Sequence, residues 1–256
     1  MSGWRVERSP ARSFADASLY RGPRMSEHQE PGHLDPLVHV AQPDHPDDVA
    51  EARAAGGRAL RDLGHALVGH HAPIELLERM AQSSDALTAE LLVGPPRNRA
   101  QVRSAGEWDN EIPDGATMTS YDERPVSGRS SPWGLDLHVR RDGQEAVATL
   151  TLRAAHEGAP GRSHGGIVAA LFDDVYGFVL NIVGQSAFTG ELTVRYEAGV
   201  PIGVPLECRV RLAERDGRKL YMTGELATLT ESPQLVARSK ATFIAIDRSV
   251  FQQPVA

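Results

Sequence analysis

The spacing of apolar residues in the C-terminal half constrains the fold more than any other feature of this sequence. From Leu135 onward, apolar and polar residues alternate as in half-buried β-strands. Between Ile167 and Ile182, apolar residues instead recur every three or four positions, as in an amphipathic helix. Gly143 and Gly217 each follow an aspartate and mark hairpin turns. The order of two strands, a helix and four strands predicts an α+β domain, in which an antiparallel sheet packs on one long helix. The predicted strands are 135–139, 147–153, 191–196, 206–212, 220–230 and 235–247.

A helical pattern occupies the chain ahead of the predicted sheet. Small and apolar residues at three- and four-residue intervals predict one helix from Asp47. A second helix begins at Pro73, which suits the first turn, and it ends at Gly94 and two prolines. We therefore divide the chain into an irregular or disordered segment, a helical extension, a linker and the α+β domain. Their bounds are 1–46, 47–93, 94–130 and 131–248.

Net charge and cysteine content exclude several classes of protein. The formal charge of -7 argues against a nucleic-acid binder and against a basic membrane-surface protein. Cys208 is the only cysteine, so the chain can form neither an internal disulfide nor a thiolate metal cluster, and a reducing, cytoplasmic compartment fits best. No apolar run approaches the roughly 18 residues that cross a bilayer, so we expect no membrane span.

Two features of the N-terminal half favour ordinary interpretations over functional ones. The first 25 residues contain five arginines among Ser and Ala. This composition is close to that of a transit peptide, but a disordered tail, or a start at Met25, fits better. His65, His70 and His71 could suggest a metal site, yet Pro73 interrupts any regular spacing to the glutamates that follow. We expect these histidines at a solvated helix end and predict no metal.

The segment that opens the interior helix has the chemistry of a reaction centre. Ser163 can cap the helix, and Gly165 and Gly166 let a ligand approach the backbone closely. A helix N-terminus has unpaired N–H groups and a partial positive charge, so it stabilises a carbonyl oxygen that gains negative charge. We take Gly165 N–H as the oxyanion donor. Asp173 lies two turns further along, on a face of small residues, where it would meet a partner rather than open water.

The run from His164 through Gly165 and Gly166 to Asp173 closely resembles the signature of the PaaI-like, HGG-motif group of hotdog-fold acyl-CoA thioesterases. Three more stretches resemble that family in the same order: its lead-in to the signature, the strand after its helix and its usual hairpin. They are 157–161, 189–196 and 216–219, and the whole likeness covers residues 125–247.

The resemblance implies a hotdog fold, in which the sheet wraps around the long central helix, and a homodimer or homotetramer whose sheets join continuously. It also implies hydrolysis of an acyl-CoA thioester to a free acid and CoA, within lipid metabolism, with no cofactor beyond the CoA of the substrate. Asp173 would act as general base or nucleophile while Gly165 N–H polarises the carbonyl. Thr189, from the other subunit, would help to hold the attacking water, and His164 would anchor the loop.

The residues that hold the rest of the substrate form a second group of expectations. Basic side chains could receive the phosphates of CoA, although several of them equally fit the solvated face of a strand. Asp174 is a second acid, where many relatives carry Glu, and it points about 100° away from Asp173 around the helix. The candidate substrate-binding residues are Gly166, Asp174, Arg195, Arg218 and Lys219.

Two other functions stay open at this point. A hotdog hydratase or dehydratase acting on enoyl-CoA or hydroxyacyl-CoA would use His164 as its base. A non-catalytic acyl-CoA-binding protein would instead let the N-terminal helices regulate a partner. The sequence fixes neither the acyl chain length nor the choice between dimer and tetramer, because both depend on packing between subunits.

Overall fold

The structure is a computed structural model that describes residues 47–95 and 112–247. The predicted segment 1–46 lies outside the described residues, as do 96–111 of the predicted linker and the residues from 248 onward. The α-helices of the described part are α1 (Asp47–Gly69), α2 (Ile74–Val93) and α3 (Gly165–Ile182). Its strands are β1 (Thr117–Met118), β2 (His138–Asp142), β3 (Glu145–Thr151), β4 (Glu157–Ala159), β5 (Arg162–Ser163), β6 (Ala187–Tyr196), β7 (Pro205–Asp216), β8 (Lys219–Thr228) and β9 (Leu235–Ala245).

Seven strands form one antiparallel sheet in the order β1-β2-β3-β7-β8-β9-β6, and β4 and β5 form a small separate hairpin. Gly143 and Gly217 make the turns between β2 and β3 and between β7 and β8. Their φ angles of 59° and 53° lie in the left-handed region that glycine enters without strain. Within the described chain β6 pairs only with β9, so the other edge of β6 is unpaired.

Helix α3 lies against the inner face of this sheet, where it contacts β3, β6 and β7. Its side chains Phe172, Tyr176 and Phe178 are fully buried. Burying an apolar side chain of this size contributes roughly 1.5–3 kcal/mol, so this packing stabilises the domain. A sheet wrapped around one long helix, with helices ahead of it, is the hotdog arrangement that the sequence predicts, and the prediction is confirmed.

The strands differ from the prediction at several places, and the small β4–β5 hairpin was not predicted. β2 begins at His138 rather than at residue 135, because Asp136 has a φ of 50° and turns the chain before the strand starts. β6 begins at Ala187, earlier than predicted, since a bulge between Thr189 and Glu191 interrupts the alternation there. β1 is an additional short strand at the sheet edge, within the segment predicted to be a linker.

The described part of the predicted linker belongs to the domain. β1 pairs with β2, and Met118 is buried in the core. Further along, the guanidinium of Arg124 reaches α3 and occupies the space beside Gly177 that a side chain there would fill. These contacts span long distances in sequence, which is why local patterns did not reveal them.

Helix α1 is fixed to the domain by polar contacts. Arg61 is buried, donates to the carbonyl oxygens of Arg129 at 2.9 Å and Ser131 at 2.6 Å, and pairs with Asp136 at 2.7 Å. A Cβ at Gly57 would lie 2.5 Å from the backbone of residue 130, so helix and domain touch directly. In contrast, no residue of α2 is buried by the described part of the chain.

Helix α3 is also, among the described residues, the helix that is long and apolar enough to span a bilayer. The sequence analysis expected no segment of that kind, because it considered uninterrupted apolar runs and α3 contains Asp173 and Asp174. Half of this helix is buried inside the protein, as is typical of a core helix wrapped by a sheet. Its composition is therefore explained by the fold.

Candidate active site

The HGG segment forms a tight loop that leads directly into α3. His164 is the N-cap residue, with extended backbone angles, and its Nδ1 accepts a hydrogen bond of 3.0 Å from Gly166 N–H. Its own N–H donates to the carbonyl oxygen of His156 at 2.8 Å, and Ser163 N–H donates to Val200. His164 thus fixes the first turn of the helix through both its ring and its backbone, and Gly166 N–H is already occupied.

Gly165 lies where the helix presents its remaining backbone donors. Within the part of the chain that the structure describes, its N–H meets no acceptor, so the helix dipole and this donor stay available. The hydroxyl of Tyr196 donates to the carbonyl oxygen of Gly165 at 2.7 Å. A Cβ at this glycine would lie only 2.9 Å from that hydroxyl. Sequence reasoning missed Tyr196, although its place among the inward residues of β6 could have indicated it.

Asp173 lies on the open side of α3 beside the start of β6. Thr189 donates its hydroxyl to Asp173 Oδ1 at 2.7 Å, and both residues are exposed in this chain. The helix face around Asp173 consists of small residues that are exposed or half-buried, whereas the opposite face is buried in the sheet. An exposed carboxylate oriented by a hydroxyl can hold and deprotonate a water molecule.

Asp174 turns away from that open face. It is 7% exposed, and its Oδ1 pairs with Arg124 Nε at 2.6 Å. Arg124 also donates to the backbone oxygen of Asp174 at 2.8 Å and stacks over the ring of Phe178. Burial raises the pKa of Asp174, and the charge of Arg124 opposes that rise. Sequence analysis placed Asp174 among the substrate-binding residues, but here it secures the segment around Arg124 on the helix.

The predicted oxyanion donor and the predicted base lie too far apart to act together within one chain. Gly165 and Asp173 are separated by eight positions on a regular helix, which is about 12 Å at 1.5 Å per residue. The donor must lie about 3 Å from the carbonyl oxygen, and the attacking water must lie about 3 Å from both the base and the carbonyl carbon. The sequence analysis assigned Thr189 to the other subunit's site. The structure corrects this, since the short connection from α3 to β6 brings Thr189 onto Asp173 of its own chain.

The predicted basic residues lie at two ends of the domain. Arg195 is highly exposed, near the Tyr196 end of β6, and forms an ion pair with Glu197 at 3.3 Å. Arg218 and Lys219 are exposed in the β7–β8 turn. Because β8 pairs with β9 and β9 pairs with β6, Lys219 lies near the Thr189 end of β6. Within one chain, these groups do not form one cluster.

Two other side chains of the sequence analysis are located by the structure. The prediction that His65 is solvated is wrong, since the residue is only 7% exposed. Its ring packs edge-on against that of His156, with the ring centroids 4.6 Å apart. Cys208 is fully buried in the core, where burial raises the pKa of its thiol and disfavours the nucleophilic thiolate. It is a small core residue, as the strand pattern indicates.

Comparison with known proteins relates this domain to thioesterases. Residues 161–231 match the family model described as thioesterase superfamily. The chain is also similar to the acyl-coenzyme A thioesterases THEM5 of Mus musculus and Homo sapiens, at 30% and 29% identity over 90 residues. That stretch covers 35% of this chain and 36% of each relative, so the match spans about a third of those proteins.

Solved structures show the same fold. A crystal structure described as a thioesterase superfamily protein matches with a TM-score of 0.63 and 24% sequence identity. The match covers 81% of this chain and 100% of that chain. The resemblance predicted from residues 164–173 thus falls within a stretch that matches the thioesterase superfamily, on a domain with the hotdog fold.

Proposed function

We propose that this hotdog domain, whose residues 161–231 match the thioesterase superfamily, hydrolyses an acyl-CoA thioester to a free acid and CoA. The observation that carries the proposal is the Asp173–Thr189 pair, an exposed carboxylate oriented by a hydroxyl on the open face of α3. The likeness to THEM5, which is named an acyl-CoA thioesterase, supports the substrate class.

The proposed reaction uses these groups in two steps. Asp173 accepts a proton from a water molecule held beside Thr189, and the water oxygen attacks the thioester carbonyl carbon. The carbonyl oxygen becomes negative and is stabilised by Gly165 N–H at the helix N-terminus. The intermediate collapses, the carbon–sulfur bond breaks, and CoA leaves as a thiolate that takes up the proton. Such a donor contributes about 100- to 1,000-fold and such a base about 100- to 10,000-fold.

A second copy of the chain completes this site in the proposal. Since Gly165 and Asp173 of one chain are about 12 Å apart, the donor must come from another subunit. Thr189 of β6, a strand with one unpaired edge, contacts Asp173 on the open face of α3, so the two surfaces are adjacent and suit a two-fold partner. In an antiparallel pair, the Gly165 end of one chain meets the Asp173 end of the other. We therefore propose a homodimer. Association of two such dimers would give a homotetramer.

The same arrangement gives the basic residues a role. Arg195 and the pair Arg218 and Lys219 lie at opposite ends of β6 in one chain, and an antiparallel partner would bring the two ends together at each site. We propose that they receive the phosphates of CoA. Gly166 contributes space rather than a hydrogen bond, because its N–H already binds His164.

The proposed steps need no metal or redox cofactor. We also propose that the enzyme acts in the cytoplasm, within lipid metabolism.

The role of His164 separates this proposal from a hydratase. A hydratase would need an imidazole nitrogen that is free to accept a proton, whereas His164 Nδ1 already accepts from Gly166 N–H, which places the proton of the neutral ring on Nε2. Loss of an enoyl-CoA double bond without thiol release would nevertheless establish that chemistry in place of thioester hydrolysis.

The test is a thiol-release assay across short, medium, long and aryl acyl-CoAs. We expect the wild type to release thiol and Asp173→Asn to lose at least about 100-fold in kcat. Asp85→Asn, an exposed carboxylate on α2, is the matched control and should keep full activity. Acyl-CoA binding without thiol release by the wild type would contradict the proposal in favour of a binding protein.

A further inference from the structure

The end of α1 packs on a short turn that precedes the HGG loop. Residues 154–156 form one turn of 3-10 helix, and Ala155 N–H donates to His65 Nδ1 at 3.0 Å. The rings of His65 and His156 pack edge to face at 4.6 Å, and both are buried. Asp62, one turn earlier on α1, pairs with Arg153 at 2.6 Å. The helical extension is therefore fixed to this turn through side chains of α1.

The same turn is in direct contact with the backbone of the HGG loop. His156 accepts the hydrogen bond from His164 N–H at 2.8 Å through its carbonyl oxygen. A Cβ at Gly158 would lie 2.7 Å from His164 Cα, so the two stretches of backbone are in direct contact. His164 in turn caps the helix turn that carries Gly165. An unbroken series of contacts thus leads from His65 to the donor proposed for the carbonyl oxygen.

Both imidazoles act as acceptors, and an acceptor nitrogen carries no proton. His65 Nδ1 accepts from Ala155, and His156 Nδ1 accepts from Arg153 N–H at 3.0 Å. Burial is the largest cause that lowers the pKa of both histidines, and it lowers that of His156 to about 4. The charged groups that face the pair from the packed elements are Arg61, Asp62, Asp136 and Arg153.

We infer that His65 is a positioning residue for catalysis, which holds the 154–156 turn so that the HGG loop sets Gly165 N–H in place. The inference rests on the proposed function, because it concerns the donor of that reaction. It gives α1 a role in the active site although α1 itself lies outside the reacting groups. A change at His65 would displace Gly165 N–H without removing it. We therefore expect a smaller loss of kcat than when the N–H itself is removed.

The first experiment compares His65→Ala with His70→Ala. His70 is exposed, and its ring bonds to the carbonyl oxygen of Ala66 on its own helix, so it is the matched control. We expect kcat of His65→Ala to fall about tenfold with KM within about twofold, because an oxyanion contact acts in the transition state. Hydrogen exchange of residues 154–166 should accelerate in the same variant.

The outcomes of this comparison separate two failures. A wild type that releases no thiol would contradict the proposed function itself. An active wild type in which His65→Ala retains the kcat of His70→Ala would overturn the inference about His65 alone.

The second experiment uses His65→Asn, whose amide oxygen can replace Nδ1 as the acceptor but does not titrate. We expect this variant to recover most of the kcat lost in His65→Ala at neutral pH. The ratio of wild-type to His65→Asn kcat should then fall as the pH is lowered below 6.5, the ordinary pKa of histidine, because burial lowers the pKa of His65 and asparagine does not titrate. A ratio that stays constant over this range, or a failure of Asn to restore kcat, would overturn the inference.

Discussion

Asp173 and Asp174 are neighbours on α3, yet they lie in opposite environments. Asp173 is exposed on the open face and accepts the hydroxyl of Thr189, whereas Asp174 is buried and paired with Arg124. The helical step of about 100° per residue is enough to separate the two carboxylates. In the proposed enzyme, the open face of α3 carries the reacting groups, whereas the opposite face stabilises the fold. Substitutions on the two faces should therefore have separable effects.

A large loss of activity is expected from a change at the start of the helix. Gly165→Pro removes the N–H of the first helical residue, at a position where proline is well tolerated. We expect kcat to fall about 100- to 1,000-fold. Gly165→Ala is the matched control, since its added Cβ crowds Tyr196 equally but leaves the N–H in place. If alanine and proline lower kcat equally in the thiol-release assay, Gly165 N–H is not the donor.

Substitutions on the buried face of α3 should change the free energy of unfolding. Arg124→Ala leaves the Asp174 carboxylate buried without its partner, which should lower the free energy of unfolding by about 3 kcal/mol. Adding Asp174→Asn removes the unpaired charge, so we expect the double variant to recover at least half of the loss in urea denaturation. If the double variant is no more stable than Arg124→Ala, the ion pair is not what stabilises this face.

The pH dependence of Arg124→Ala provides a finer test. Burial raises the folded-state pKa of Asp174 above its ordinary 3.8, so the folded state binds a proton more readily than the unfolded state. The charge of Arg124 lowers this pKa, so Arg124→Ala raises it further, and the stability that the variant loses at neutral pH should return as the pH falls through its raised pKa toward 3.8. We expect the difference in unfolding free energy between wild type and Arg124→Ala to shrink over this range. A difference that grows would contradict the environment assigned to Asp174.

A smaller effect is expected from the hydroxyl on the open face. Thr189→Val keeps the shape of the side chain but removes the hydrogen bond to Asp173, a charge-assisted contact that contributes on the order of tenfold in rate. Stability should not change, because the residue is exposed. Thr193→Val, also exposed on β6, is the matched control. If both valine variants have the kcat of the wild type, Thr189 does not orient the base.

The sequence predicted the elements of the hotdog domain because each strand and the helix has its own period of apolar residues. It also indicated the helix N-terminus at Gly165 because glycine signals are local, although the N-cap is His164 and not the predicted Ser163. Arg124 could not be predicted, because its partner Asp174 is 50 residues away and no pattern connects them. The same holds for β1 and for the burial of His65, both of which depend on long-range packing.

The relation between the two ends of the site was the other feature that local patterns did not reveal. The resemblance takes Thr189 from the other subunit, whereas Thr189 contacts Asp173 within one chain. Gly165 lies eight positions from Asp173 along α3, and we propose that it comes from another chain. The central claim is therefore that each active site is made by two chains.

Complementation between two inactive variants tests this claim most directly. Gly165→Pro and Asp173→Asn are unfolded together, refolded as a mixture, and measured for thiol release against the wild type. If subunits mix at random, half of the dimers contain one chain of each kind, and each such dimer has one intact site. If each active site is made by two chains, the refolded mixture should recover about 25% of the wild-type specific activity. Activity no higher than that of the separate variants, with mixed dimers present, would contradict a site made by two chains.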